Sequence, residues 1–173
     1  VCWPELCTGG PELTGKAVTP LLIEEAKAVP NDASFTAGTC IITGSNMSGK
    51  TTYMRTLATS AILAYAGAPV CAEHFALTPM AVYTSIHVSD DLSRGISDFY
   101  AEILRIRQMV EAGQEGAATL ALHREIFKGT NSADRITGAA EAIKRLTRPS
   151  CITLVTTHDF ELCDLQSPND LPI

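Results

Sequence analysis

One eight-residue segment limits the folds open to this chain more than any other part of it. Residues 44–51 read GSNMSGKT and match the phosphate-loop pattern G-x-x-x-x-G-K-[ST]. The apolar and β-branched residues 39–43 come directly before this segment, and residues 51–66 carry apolar side chains at helical spacing. The sequence therefore predicts a buried strand, a phosphate loop and a helix in immediate succession.

The residue types in this loop suit the binding of a nucleoside triphosphate. Gly44 and Gly49 allow backbone angles that other residues avoid, so that successive N–H groups can point at phosphate oxygens beside the positive end of a helix. Lys50 would pair with the β- and γ-phosphates, and the Thr51 hydroxyl would ligate Mg²⁺. The competing interpretation is a glycine-rich turn with a solvated lysine. The residues assigned to ATP or ADP are Gly44, Ser45, Asn46, Met47, Ser48, Gly49, Lys50, Thr51 and Thr52.

Size and composition predict one domain. The chain has 173 residues, of which 46% are hydrophobic and 18% charged, which is enough for a sizeable core. Residues 1–38 contain four prolines and are predicted to be loop-rich or to form edge strands, whereas residues 39–173 are predicted to form the phosphate-loop core. Because the chain begins at Val1 rather than methionine, we expect it to be a segment of a longer polypeptide.

Several classes of protein fit this composition poorly. The sequence has neither an apolar run of membrane-spanning length nor a secretion signal, so we expect a soluble, cytoplasmic protein with no membrane contact. The net charge is −6 and basic residues do not cluster, so the usual electrostatic signature of a DNA-binding surface is missing. Widely spaced cysteines without a C-x-x-C pair favour buried thiols over a zinc site or disulfides. They are Cys2, Cys7, Cys40, Cys71, Cys151 and Cys163.

Hydrophobic periodicity predicts the elements that follow the phosphate loop. They are strands at 70–72 and 82–88, a helix at 98–110, a strand at 117–122, a helix at 133–147 and a strand at 151–155. The first of these helices would carry Phe99, Ile103, Ile106 and Val110 on one face. The last three elements form a β-α-β unit, whose crossover would put both of its strands beside the strand that feeds the phosphate loop. We therefore predict an α/β fold with a mainly parallel sheet flanked by helices.

A series of motifs in one order gives the chain a family resemblance. The phosphate loop extends to IITGSNMSGKTTYMR, and the other motifs are TPLL at 19–22, VPND at 29–32, DDL at 90–92 with Gly95 and Ser97, EIFKGTNS at 125–132 and TTHDFEL at 156–162. With these motifs, the chain resembles the ATPase domain of the MutS mismatch-repair family over about residues 19–165. The FKGTNS wording is more similar to the MutS-like branch than to the mismatch-recognition proteins.

The resemblance implies a fold, an activity and partners. Domains of this family are similar to ABC-type ATPases, which are P-loop NTPases that hydrolyse ATP at composite sites between two facing domains. The resemblance therefore implies a homodimer, whose nucleotide-dependent changes act on a DNA clamp. It also implies that DNA is bound by other domains, for which this chain has no room. A transporter-type ATPase subunit is the enzymatic rival, but it needs a Leu-Ser-Gly-Gly-Gln signature that the sequence lacks.

The resemblance also assigns catalytic roles. Glu125 follows the strand at 117–122, where such ATPases end their Walker B strand with Asp-Glu, and would polarise the attacking water. His158 follows the strand at 151–155 and would sense the γ-phosphate. The alternative for His158 is a packing or capping histidine at a strand end.

Arg124 departs from the family pattern, which has an aspartate at this position to hold the magnesium-bound water. An arginine cannot accept a hydrogen bond from that water and repels Mg²⁺, so hydrolysis should be weakened even if ATP binds. His123 likewise replaces an apolar residue. Three hypotheses remain open: a nucleotide binder that does not hydrolyse, a slow ATPase rescued by Asp90 or Asp91, and a change peculiar to this chain.

Three further residues have a family role and an ordinary alternative. Asn31 would meet the adenine edge, or forms an Asn-Asp turn, and the aromatic residue that stacks on adenine in the family would fall at Ala28. Ser97 would face the partner's γ-phosphate, or caps a helix. Asp134 would lie at the dimer seam, or favours the first turn of its helix.

Overall fold

Two four-stranded sheets and three α-helices make up the part of the chain that the structure describes. The structure is a computed structural model, and it describes residues 1–86, 95–127, 131–158 and 160–165, without the side chains of residues 95–98, 132 and 165. The predicted metal-rescue residues Asp90 and Asp91 and part of the strand predicted at 82–88 lie outside these ranges.

The second sheet is parallel and contains the strand that feeds the phosphate loop. Its strands are β4 (Gly38–Thr43), β6 (Ala81–Ser85), β7 (Thr119–Arg124) and β8 (Cys151–Thr157). Every pairing in the order β4-β8-β7-β6 is parallel. The helices are α1 (Lys50–Tyr65), α2 (Gly95–Gln114) and α3 (Ser132–Leu146). The predicted α/β fold with a parallel sheet flanked by helices is confirmed.

Alternate residues of the parallel sheet face different helices. Leu120 and Leu122 of β7 share a core with Leu57 of α1. Val155 of β8 instead shares a core with Ile143 of α3 and with residues of α2. Helices therefore cover both faces, and the position of a residue along a strand decides whether its side chain lies on the α1 face or on the face of α2 and α3.

The order of strands corrects one prediction. We expected both strands of the β-α-β unit beside β4, but only β8 pairs with it, and β7 pairs with β8 and β6. Both β7 and β8 are buried along almost their whole length, as interior strands of a parallel sheet are. Two strands with the same burial pattern are equally suited to the neighbouring position, so periodicity alone does not order them.

Residues 1–38 hold more strand than expected. They contribute β1 (Glu5–Leu6), β2 (Glu12–Val18) and β3 (Asn31–Thr36) to the first sheet, in which β5 (His74–Leu77) completes the order β1-β5-β2-β3. The prolines lie next to these strands rather than inside them: Pro4, Pro11 and Pro30 each come directly before a strand. A proline there removes no ladder hydrogen bond, so the prolines mark strand starts. The predicted division at residue 38 stays a prediction, although β4 begins at Gly38 and β5 comes from the other side of it.

Helix α1 packs against both sheets. Its buried residues Met54 and Leu57 belong to one hydrophobic cluster with Phe35 and Phe75 of the first sheet and Leu154 of the second. Small residues make this double contact possible, because Ala58, Ser60, Ala61 and Ala64 are also buried along the helix. The helix that begins at the phosphate loop is thus fixed between the two sheets.

Some predicted elements differ in extent. The strand predicted at 70–72 is wrong, because Val70 forms only an isolated bridge with Cys2 and the chain then bends, with the Ala72 N–H donating to the Val70 carbonyl. Helix α2 buries Ile106 and Met109, whereas Ile103, predicted on its apolar face, is 38% exposed. Within the described residues, the helices are too short or too polar to cross a bilayer.

Candidate functional site

The phosphate loop is a strained turn between β4 and α1. Gly44 and Gly49 have φ angles of 154° and 91°, which non-glycine residues rarely adopt, and Met47 also has a positive φ of 61°. A Cβ atom at Gly44 would lie only 3.0 Å from the Ser48 Oγ. The loop therefore closes tightly on itself directly before the start of α1.

Lys50 carries positive charge into this loop. Its Nζ donates hydrogen bonds to the carbonyl oxygens of Gly44 and Ser45, both at 2.7 Å, and lies 3.4 Å from the Ser48 Oγ. Lys50 is also the first residue of α1, where unpaired N–H groups and the helix dipole favour an anion. The Lys50 ammonium group and the start of α1 together form the electropositive end of the site.

A cavity of about 630 Å³ extends from the loop to the first sheet. Pockets of this size hold nucleotide-sized ligands. At one end it is lined by loop and helix residues, namely Gly44, Ser45, Ser48, Gly49, Lys50 and Thr52. At the other end it is lined by Val18, Ile23, Lys27, Val29 and Asn31. The cavity therefore joins a polar end suited to phosphates with a more apolar end suited to a base.

Asn31 lies in the cavity wall, and its amide already has a local partner. Its Nδ2 donates to the Val29 carbonyl at 3.0 Å, and Asn31 is the first residue of β3. The lining passes from Lys27 to Val29 without Ala28. Aliphatic side chains thus occupy the end where the family resemblance implies an aromatic residue.

Asp32 and Tyr53 hold this wall against α1, and sequence analysis missed both. The Asp32 carboxylate accepts from the Ala17 N–H at 2.9 Å and from Lys16 Nζ at 2.6 Å, and these two donors hold the pKa of Asp32 below its usual value. Tyr53 of α1 donates its hydroxyl to the Asp32 carbonyl at 2.9 Å, and burial raises the pKa of Tyr53 to about 12. Both act near a β-bulge in β2, for which the sequence has no clear signal.

Glu125 and His158 come together beside the phosphate loop, although they are 33 positions apart in the sequence. The Glu125 N–H donates to the Thr156 carbonyl at 2.9 Å, which ties the end of β7 to β8. His158 Nε2 is 2.5 Å from the Glu125 Oε1, and its Nδ1 is 3.2 Å from the Gly44 carbonyl oxygen. The two residues assigned to catalysis therefore contact each other, and one of them contacts the loop.

The His158 ring lies between two oxygen acceptors. A carbonyl oxygen can only accept a hydrogen bond, and so can an ionised carboxylate. The contacts to Gly44 and Glu125 are satisfied by an imidazolium facing a carboxylate, or by a neutral ring facing a protonated carboxyl group. In either arrangement the Glu125 carboxyl group is linked to the phosphate loop through the His158 ring.

Arg124 lies at the end of β7 on the α1 face. Alternation along the strand gives it the same side as Leu120 and Leu122, which pack with α1. It pairs in register with Thr156, whose buried hydroxyl lacks a hydrogen-bond partner among the described residues. The end of β7 thus carries a cation on the α1 face, at the position where the family resemblance implies an aspartate.

His123 lies on the opposite face and is fully buried. Burial, with a contribution from Arg105, lowers the pKa of His123 to about 4. Its Nε2 is 3.6 Å from the Glu102 Oε1, too long for a hydrogen bond, and neither ring nitrogen has a hydrogen-bond partner within the described part of the chain. The histidine is therefore neutral at pH 7, and the contact with Glu102 is not an ion pair.

The lowered pKa of His123 predicts that the protein loses stability in mild acid. Between pH 6.5 and about 4 the unfolded chain binds a proton at this position and the folded chain does not, so the free energy of unfolding should fall as pH falls. The loss between pH 7 and pH 5 should be about 2 kcal/mol. Urea unfolding at both pH values measures it.

The matched control is the exposed His74. His123→Leu should remove most of the difference between the two pH values, whereas His74→Gln should keep it. An equal pH dependence in wild type and His123→Leu would contradict the assignment.

The remaining predicted residues lie at helix starts. Helix α2 begins at Gly95, so Ser97 belongs to its first turn rather than to a cap. Asp134 lies in the first turn of α3, and its N–H donates to the Asn131 Oδ1 at 2.9 Å. Asn131 is therefore the helix cap that sequence analysis missed, and an asparagine before a helical run was the available signal.

Comparison with known proteins agrees with this geometry. A parallel sheet flanked by helices, with a phosphate loop at the start of α1, is a P-loop ATPase fold. A family model described as MutS domain V matches residues 40–171. The chain belongs to the MutS family.

Two relatives give the extent of the match. The chain is 35% identical over 150 residues to the DNA mismatch repair protein MutS of Thermus thermophilus, and 36% identical over 155 residues to that of Streptococcus pyogenes. These alignments cover 86% and 87% of the chain but 18% of each relative. The chain thus spans less than a fifth of the length of these proteins. The predicted membership of the MutS family is confirmed, and the MutS-like branch and the ABC type stay predictions.

Proposed function

We propose that this chain is the ATP-binding domain of a MutS-like DNA repair or recombination protein. The observation that carries the proposal is the chain of contacts from Glu125 through His158 to Gly44, beside a cavity of nucleotide size. Such contacts join the group that would orient a water molecule to the loop that would hold the phosphates.

The residues present fit an adenine nucleotide. The backbone of residues 44–49, the Lys50 ammonium and the start of α1 would hold the phosphates, because each offers donors or positive charge at the same end of the cavity. Val29 and Asn31 would hold the base at the other end. The Thr51 hydroxyl would be the protein ligand of Mg²⁺, which when bound neutralises charge on the phosphate oxygens.

Glu125 would orient and deprotonate the attacking water. Its carboxylate is 14% exposed and is held at one oxygen by His158. A carboxylate fixed in this way loses little conformational freedom when it accepts a hydrogen bond from water, which favours reaction. His158 would report on phosphate occupancy, because it also touches the loop at Gly44.

Arg124 favours a second candidate, a module that binds nucleotide and pairs without hydrolysing it. Arg124 is the last residue of β7 and alternates onto the α1 face, where its positive charge would disfavour a divalent cation. The two candidates share the binding site and differ only in turnover. They are separated by the Arg124 variants discussed below.

The proposed function is tested first by binding. Calorimetric titration of the full chain with ATP and with ADP, each with Mg²⁺, should give saturable binding with one nucleotide per chain. A titration without heat at millimolar nucleotide, on material shown to be folded by circular dichroism, would rule the proposal out.

We further propose that the chain pairs with a second copy and that the intact protein binds DNA through other domains. The family resemblance supports both. Sedimentation velocity with a non-hydrolysable ATP analogue and Mg²⁺ should shift the chain from monomer to dimer, and the shift should be absent without nucleotide. A monomer at every concentration with bound analogue would contradict autonomous pairing.

A further inference from the structure

Residues 125–127 form a short turn directly after β7, and the backbone is strained at two of these three residues. Glu125 and Phe127 have φ angles of 48° and 60°, in the left-handed region. A residue other than glycine is strained in this region and keeps such a conformation only where the surrounding structure holds it. The segment from Glu125 to Phe127, here called the Glu125 turn, therefore needs external support.

Glu102 of α2 supplies a hydrogen bond to this turn. Its Oε1 accepts from the Phe127 N–H at 2.7 Å, and its side chain is only 15% exposed. A bond between a carboxylate and a backbone N–H is short and stronger than a neutral one. It links the buried face of α2 to the last residue of the strained turn.

The Phe127 ring fixes the same turn from its other side. The ring centroid is 5.7 Å from that of Phe99 on α2, with the planes tilted by 57°. A Cβ atom on Gly138 of α3 would be 3.0 Å from the Phe127 ring, so α3 approaches closely because it has a glycine there. The Phe127 ring thus contacts α2 and lies close to α3, and its backbone N–H is bonded to Glu102.

The position of Glu102 is costly in other respects. It follows the spacing of the buried residues Ile106 and Met109 along α2. Besides the Phe127 N–H, the groups that act on its carboxylate are the neutral ring of His123 at 3.6 Å and the charge of Arg105. Burial raises the pKa of Glu102, although the Phe127 N–H opposes the change. An apolar side chain there would avoid this cost, so the carboxylate is best explained by the bond that it makes.

We propose that Glu102 is a positioning residue for Glu125: by accepting the Phe127 N–H, it holds the Glu125 turn and so sets the contact between Glu125 and His158. The proposal rests on the proposed function for the catalytic role of Glu125. Its structural part, that Glu102 acts on His158 through the turn, does not depend on nucleotide hydrolysis.

The test compares two variants of nearly equal size. Glu102→Gln keeps an oxygen acceptor for the Phe127 N–H, whereas Glu102→Met removes it and suits the buried site. In Glu102→Met, hydrogen exchange at the Phe127 amide should speed up by at least about tenfold, and the His158 ring resonances should shift in NMR spectra. In Glu102→Gln both should stay near wild type. Glu111→Ala is the control, because Glu111 lies on the same helix in an exposed pair with Arg107.

Kinetics give a separate readout. If the wild type hydrolyses ATP, Glu102→Met should lower kcat by about tenfold and leave KM within about twofold, with rescue in Glu102→Gln. Loss of activity with a raised KM and equal defects in both variants would overturn the proposal, as would unchanged Phe127 exchange in Glu102→Met. If the wild type binds no nucleotide, the proposed function fails, and the exchange and His158 measurements still decide whether Glu102 holds the turn.

Discussion

Lys50→Ala should weaken the binding of ATP and ADP by about a hundredfold, which corresponds to about 3 kcal/mol. The Lys50 Nζ lies 2.7 Å from two carbonyl oxygens of the loop, at the end of the cavity suited to phosphates. Removal of the ammonium group leaves the backbone donors and the helix end but takes away the full positive charge nearest the phosphates. Calorimetry at one pH and one ionic strength measures the ratio of dissociation constants.

Lys27→Ala is the matched control for this experiment. Lys27 also lines the cavity, but at the end assigned to the base, and its side chain is 73% exposed and paired with Glu24. We expect its loss to change nucleotide affinity by less than about threefold, because exposed charges are screened. Equal effects of the two substitutions would mean that the cavity attracts anions without a specific phosphate site.

The phosphate loop was predictable because all of its determinants are adjacent in the chain. A β-branched strand, two glycines and a helical run lie in one stretch, and the observed helix Lys50–Tyr65 differs by one residue at each end from the predicted 51–66. Local propensity and local chemistry indicate the same structure there, so the prediction depends little on tertiary contacts.

The first sheet was not predictable from the same kind of evidence. Its interior strand β2 pairs with β3 and with β5, which lies some sixty residues further along the chain. The pairing of strands so far apart in the chain depends on which side chains share a core, such as Leu13 with Phe75. Hydrophobic periodicity within a short window of sequence carries no information about such contacts. The number of prolines in residues 1–38 predicts loops, whereas the positions of Pro4, Pro11 and Pro30 directly before strands are compatible with a sheet.

The residues assigned to catalysis could be predicted from the sequence, whereas the residue proposed to position them could not. Family resemblance identified Glu125 and His158, and the structure brings them into contact. Sequence analysis did not single out Glu102. Its spacing of four and seven residues from Ile106 and Met109, both buried, was the signal that it lies on the inner face.

Arg124→Asp should raise the rate of ATP hydrolysis by roughly a hundredfold at saturating ATP and Mg²⁺. The substitution replaces a cation with an anion at the end of β7, on the face that α1 and the phosphate loop share. An aspartate can accept a hydrogen bond from metal-bound water, whereas arginine can only donate. The measurement is phosphate release at matched ATP occupancy, so that a change in affinity does not count as a change in turnover.

Two more variants separate the possible causes of such an increase. Arg124→Ala removes the positive charge without adding an acceptor, so it should recover only part of the increase if repulsion of Mg²⁺ is one of two defects. Arg124→Asp combined with Glu125→Gln should return to the low rate, because Glu125 would still be needed to activate the water. Equal rates for wild type and Arg124→Asp would show that the arginine does not limit turnover. A slow wild-type rate would then have to arise from some other feature, such as the aliphatic side chains at the end of the cavity assigned to the base.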